Sequence, residues 1–251
     1  MVADLIGAPR QGSPDAGWPP TGAPRVAAEL MALYDAEVDR LVAFLCGSDR
    51  SLRFQDGEEY VADAVLVARG HWALVRAQGN PSAFVFSVAQ RRLTAMRRSR
   101  GESGDGAPPS RRAPQASPED LVRAMRLEAS LQRLSFRQRQ IVLLRELLGF
   151  GATETAAILD LTEEKIADEV GDGLGGISRD PLGRRAAGAS AAVRAEEFAA
   201  LGRALRRGPR RRALARRRFL VALQEALARS AAVEPGERPP ASAAGPAGAP
   251  S

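Results

Sequence analysis

The chain has 251 residues, 45% hydrophobic but only 5% aromatic, with one cysteine and one histidine, a composition that suits thin aliphatic helical cores rather than a sheet sandwich. No run of about 18 apolar residues marks a membrane span; Cys46, the one cysteine, cannot form an internal disulfide and reads as a small buried side chain; a metal site would need carboxylates alone, and no ligand spacing for one stands out. The net charge of +6 conceals an asymmetry, because residues 184–218 carry 12 Arg against Glu196 and Glu197, a local charge of +10 that leaves −4 for the remainder.

Residues 1–24 are Pro/Gly-rich and read as a disordered arm with no basic-then-apolar leader pattern, so cytoplasmic residence is expected. A helical block follows over 25–100. Its first helix, about 25–46, carries the stripe Leu30, Leu33, Tyr34, Leu41, Val42 and Leu45. A second, about 56–77, carries Val61, Val65, Leu66, Trp72 and Val75, and a third opens at Asn80-Pro81, a cap followed by proline at the first helical position. Residues 101–117 have a linker composition. A second block, 118–177, starts at Ser117-Pro118-Glu119-Asp120 and predicts helices at about 118–134, 136–148, 152–159 and 163–174. The last two are separated only by Asp160-Leu161-Thr162, the spacing of a helix-turn-helix. Residues 178–231 form a basic extension, loose over about 175–189, with helices at about 190–207 and 210–229 around Gly208-Pro209; residues 232–251 read as a disordered tail. The expected fold is therefore all-α: two small helical domains joined by a flexible linker, with a basic helical C-terminal extension.

Four features carry chemistry. Asp56, Glu58, Glu59 and Asp63 open the second helix; such acids stabilise a helix N-terminus by charge–dipole attraction, and exposed they also suit a basic protein partner. Arg91, Arg92, Arg97, Arg98 and Arg100 end the third helix, either as a solvated charge run or as phosphate contacts. On the second helix of the helix-turn-helix, Thr162, Lys165, Asp168 and Glu169 occupy the positions that would enter a major groove. Between Asp160 and Asp172 six acids face one lysine, which repels phosphate; carboxylates could still accept from cytosine N4. Gly171, Gly173, Gly175 and Gly176 weaken the end of that helix. Finally, Arg206, Arg207, Arg210, Arg211, Arg212, Arg216, Arg217 and Arg218 form a cluster suited to sequence-independent DNA binding, to simple solvation, or to neutralising the acidic helix within the chain. No Gly-rich phosphate loop and no Ser/His/Asp or Cys/His set is present, so neither an enzyme nor a cofactor is expected.

Residues 131–174 resemble region 4 of the extracytoplasmic-function group of sigma-70-type sigma factors. Leu134, Arg137-Gln138-Arg139, Leu143-Leu144-Arg145, Gly149, Glu154, Ala156, Ile158-Leu159 and Glu163 sit in the family's places, while Ser135 and Phe136 replace its usual prolines. The stretches DGEEYVADAVLVA and SAFVFSVAQRRLTAMRRSR resemble its region 2, with Phe84 where Trp is common, Arg91 where Asn is usual and Ala95 where Asp is usual. The resemblance implies a non-catalytic factor that binds core RNA polymerase through the acidic patch and the melted promoter −10 element through the Arg-rich helix. It implies promoter DNA as a partner and admits an anti-sigma factor. The acidic second helix of the helix-turn-helix implies weakened or altered −35 recognition. The alternative is a non-initiating sigma-like regulator that docks on polymerase or binds DNA through its basic tail.

Overall fold

The computed structural model describes residues 23–101, 117–179, 191–205 and 208–232, all of whose regular elements are helical. The expected arm, linker and tail fall almost wholly outside these residues. The elements are α1 (Ala23–Ser48), α2 (Phe54–Gly70), α3 (Trp72–Ala77), α4 (Pro81–Arg100), α5 (Pro118–Leu131), α6 (Phe136–Val142), a π turn (Leu143–Leu147), α7 (Ala152–Leu159), α8 (Glu163–Arg179), α9 (Ala191–Ala204) and α10 (Pro209–Ala232).

The helix starts follow the capping residues. Asn80 accepts from the Ala83 N–H ahead of Pro81, and Ser117 accepts from the Asp120 N–H ahead of Pro118. Ser135, one of the two residues in place of proline, caps α6 by accepting from the Gln138 N–H, while the Gln138 side chain accepts from the Ser135 N–H. Several boundaries differ from expectation, α5 ending at Leu131 and α10 running to Ala232 among them, and three bear on the packing. The second helix breaks at His71 into α2 and α3. The helix expected over 136–148 passes into a π turn, with the Leu148 N–H reaching the Leu143 carbonyl, and Gly149 then turns the chain at φ +72°. The third is α8, which continues to Arg179 rather than ending near 174.

Close to its expected end α8 packs tightly at Gly173, and Ile177 in the added turn is buried in the core. A Cβ at Gly173 would come within 2.9 Å of Val142 Cγ2, so the missing side chain lets α8 lie closely on α6. The glycine that weakens the isolated helix is the one its packing requires.

The two helical blocks share a hydrophobic core. One buried cluster runs from Leu30 and Phe44 on α1 through Phe86 on α4 to Leu131, Leu143 and Phe150 of the second block. Phe86 meets Phe150 edge-on at 4.9 Å, and Gly47 admits Leu143 against α1. Polar contacts fix the register. The Arg139 guanidinium, buried at 8% exposure, donates to the carbonyls of Leu131, Gln132 and Leu134 at the end of α5 and to Ser48 at the end of α1. Arg40 on α1 donates to the Leu148 carbonyl and lies over the Phe150 ring. Asn80 donates to Glu154 at the start of α7. A separate small cluster of Ile141, Ala156 and Ile166 forms the heart of the helix-turn-helix.

The C-terminal extension packs on the body. Phe198, Leu201 and Ala204 of α9 are buried, with α9 lying on α5 and the π turn. Arg203 holds both Asp120 oxygens at 2.8 and 2.9 Å and also Glu196. This bidentate bond is the main cause that lowers the Asp120 carboxyl below its ordinary range and raises the Arg203 guanidinium.

Three outcomes are expected. Replacing Arg139 by Leu should cost about 3 kcal/mol in chemical denaturation, because four carbonyls lose a charged donor and two helix ends lose their shared tie. Gly173→Ala should lower the melting temperature, and Val142→Ala in the same chain should recover it, since the clash is with that one methyl group. The Asp120–Arg203 pair stabilises the fold above the unfolded aspartate value, about 3.9, and the contribution is lost as pH falls through the depressed folded value. Acid titration followed by amide exchange in α9 should therefore show protection lost in strongly acidic buffer, and an Asp120→Asn chain should start less protected and lack that step.

Candidate functional site

The first candidate surface is the start of α2. Its four predicted acids take different roles. Asp56 accepts from the Arg53 N–H at 3.0 Å and so caps its own helix. Glu58 is buried. Asp63 forms an ion pair with Arg92 of α4. Glu59 is exposed and accepts from Gln55, leaving it as the acid of this group best placed to meet a partner.

The arginines of α4 divide similarly. Arg92 sits between Asp63 and the Tyr60 ring, and Arg97 pairs with Asp49 while lying 4.3 Å over Phe136, the second replaced proline. Arg98 and Arg100 are exposed at the helix end. Arg91 borders an apolar groove of about 270 Å³ where α2, α3 and α4 meet, lined among others by Val67, His71, Leu74 and Phe84. Phe84 itself is buried, in keeping with a core role. Val67 and Leu74 are large apolar side chains left substantially exposed at this groove.

The helix-turn-helix is complete. Asp160 ends α7 in the left-handed region at φ 57°, Thr162 accepts from the Lys165 N–H to cap α8, and Thr153 on α7 donates to Glu163 at the start of α8. Thr162, Lys165 and Asp168 are exposed, while Glu169 is largely covered and pairs with Lys165 at 3.2 Å. The one basic side chain between Asp160 and Asp172 is thus already engaged, and Glu163, Glu164, Asp168 and Asp172 stand exposed on α8. An α-helix presenting this face to a duplex sets carboxylates against phosphates and releases no counterions there.

The predicted basic cluster is divided. Arg206 and Arg207 lie outside the described residues. Arg210, Arg211, Arg212, Arg216, Arg217 and Arg218 are on α10 and exposed in varying degree, but several already have acidic or aromatic neighbours. Arg216 Nε donates to both oxygens of Asp35, Arg212 reaches Asp39 at 3.4 Å, and Arg211 lies 5.7 Å over the Phe54 ring. Phe219 stacks on Tyr34 with centroids 4.1 Å apart and planes 8° from parallel. Among the described residues, the acids that receive Arg212 and Arg216 are on α1.

Asp35, Asp39 and Arg203 are organising residues not singled out in the sequence, and Arg139, noted there only as part of the Arg137-Gln138-Arg139 run, proves to be interior. Asp35 and Asp39 repeat at i, i+4 beside Tyr34, matching the i, i+4 spacing of Arg212 and Arg216, and that complementarity was available as a signal. The burial of Arg139 had none, because an arginine in the polar run Arg137-Gln138-Arg139-Gln140 reads as surface until its carbonyl partners are placed.

Among the described residues no group of His, Cys, Asp or Glu could hold a metal ion, and no helix is long and apolar enough to cross a membrane. No curated protein and no solved structure matches the chain. Residues 124–167 match the family model described as "Sigma-70, region 4", from the middle of α5 through α7 to the first residues of α8, and the acids from Asp168 onward lie beyond the match. The chain therefore carries a segment similar to sigma-70 region 4, the helical DNA-binding part of a transcription-factor family, folded as a helix-turn-helix.

Proposed function

We propose that this chain is a sigma-type transcription initiation factor of the extracytoplasmic-function kind, acting with core RNA polymerase in the cytoplasm. In this reading the start of α2 docks on polymerase through Glu59, with Asp63 and Glu58 beside it and Asp56 holding the helix end. The end of α4 meets the −10 element: Arg98 and Arg100 neutralise backbone phosphates, and the groove beside Arg91 offers an apolar wall to an unstacked base. Recognition of a −35 element through α8 is weakened, because the exposed acids of α8 oppose phosphate. The observation that carries the reading is the complete helix-turn-helix within and just beyond the segment similar to region 4.

The acidic α8 also favours a second reading, a non-initiating regulator that keeps polymerase docking without −35 contact. Both of these require docking, unlike a regulator that binds DNA through its basic tail alone, so docking is tested first. Purified full-length protein should capture core RNA polymerase, and Glu59→Arg should reduce capture at least severalfold while leaving the far-UV spectrum unchanged. Asp56 is unsuitable for this purpose because its loss would also uncap α2. No capture by the native chain, nor by a Phe219→Asp chain in which α10 is displaced, would eliminate both readings. Given capture, transcript synthesis from a −10-bearing template separates initiation from regulation.

A further inference from the structure

Helix α10 lies in the groove between α1 and α2. Arg212 meets Asp39 and Arg216 meets Asp35, so α10 runs antiparallel to α1. Arg211 sits at Phe54 at the start of α2 and Ser230 accepts from Arg69 near its end, so α10 runs parallel to α2. The apolar side of α10 enters the groove: Ala215, Phe219, Leu223 and Ala226 are buried, with Phe219 anchored on Tyr34. This placement sets Arg218, Phe219 and Ala222 across a cleft from Glu58, Glu59 and Asp63.

We propose that α10 is a releasable cover, in cis, of the α1/α2 face through which the chain docks on polymerase; the proposal rests on the docking reading above. The face is suited to an arginine-rich amphipathic helix, since it offers an aromatic anchor flanked by Asp35 and Asp39 on one side and the α2 acids on the other. α10 supplies that helix from the same chain. Three features make the cover releasable. Its ion pairs join half-exposed side chains, where water competes for both partners. Stacking on Tyr34 provides a single aromatic anchor. The seam toward α2 is left open as a cleft of about 270 Å³. Because α10 lies across the cleft that Glu58, Glu59 and Asp63 line, it obstructs the approach to these acids; only the open fraction of the chain is competent to dock, and the apparent affinity falls by that fraction.

The test uses the full chain in four forms: native, Arg212→Glu/Arg216→Glu, the same pair combined with Asp35→Arg/Asp39→Arg, and Phe219→Asp. Two quantities are measured for each, amide exchange across 209–232 and affinity for core RNA polymerase. The double reversal and Phe219→Asp should accelerate exchange in α10 and raise polymerase affinity about tenfold, and the four-residue swap should return both to native values. Release of α10 with no gain in affinity would overturn the proposal, as would exchange that stays slow in both opened forms. Failure of every form to bind polymerase, with α10 released as expected, would instead defeat the docking reading and leave α10 a cover of a face with another use.

Discussion

The arrangement of this chain depends on Arg139. Helix C-termini leave carbonyls without intrahelical donors and carry the negative end of the dipole. Arg139 places one fork of donors between two such ends, those of α5 and α1, and is buried while doing so. A buried charge is tolerable only with its hydrogen bonds satisfied, so the residue specifies one relative position of the two helices. Arg40 repeats the device at the Leu148 carbonyl, past the π turn. Two arginines therefore stitch the helix-turn-helix onto the first helical block, and the apolar seam from Phe44 through Phe86 to Phe150 fills the space between the stitches.

Electrostatics then decide what each surface can meet. Most acids named as candidates serve the fold before any partner: Asp56 caps α2 and Asp63 holds Arg92. Glu59 on α2, Arg98 and Arg100 on α4, and the carboxylates of α8 are among the candidates that stay exposed. A helix-turn-helix whose second helix is acidic and whose lysine is tied to Glu169 has a scaffold for groove binding without the charge that ordinarily drives it. The positive charge of the chain is concentrated instead on α10, where part of it is spent on Asp35 and Asp39.

Much of the helical content was legible because local rules dominate there. Asn80-Pro81, Ser117-Pro118 and Thr162 announced their helices through capping, and each caps as its chemistry dictates. The boundaries that differed have tertiary causes. The end of α8 could not be placed from propensity, because packing that propensity does not see, Gly173 against Val142 and Ile177 in the core, lies in the stretch the glycines penalise. The π turn after Val142 inserts an i→i+5 bond that no hydrophobic period encodes. Of the candidate site, the exposed acids of α8 and the arginines at the end of α4 were readable directly, since charge count along a short segment needs no partner. Which carboxylate of the α2 group is free to act was not readable, because it depends on Arg92 and on the Arg53 N–H.

The sequence by itself determined that the chain is helical, that two spaced helices at 152–159 and 163 onward make a helix-turn-helix, and that its second helix is acidic, since capping, period and charge are properties of neighbours along the chain. Only the tertiary structure decided that the two blocks share one core, that Arg139 is interior, and that the basic C-terminal helix rests between α1 and α2. Those outcomes depend on residues 91 and 181 positions apart meeting in space, Ser48 with Arg139 and Asp35 with Arg216, and no local pattern carries a distance of that kind.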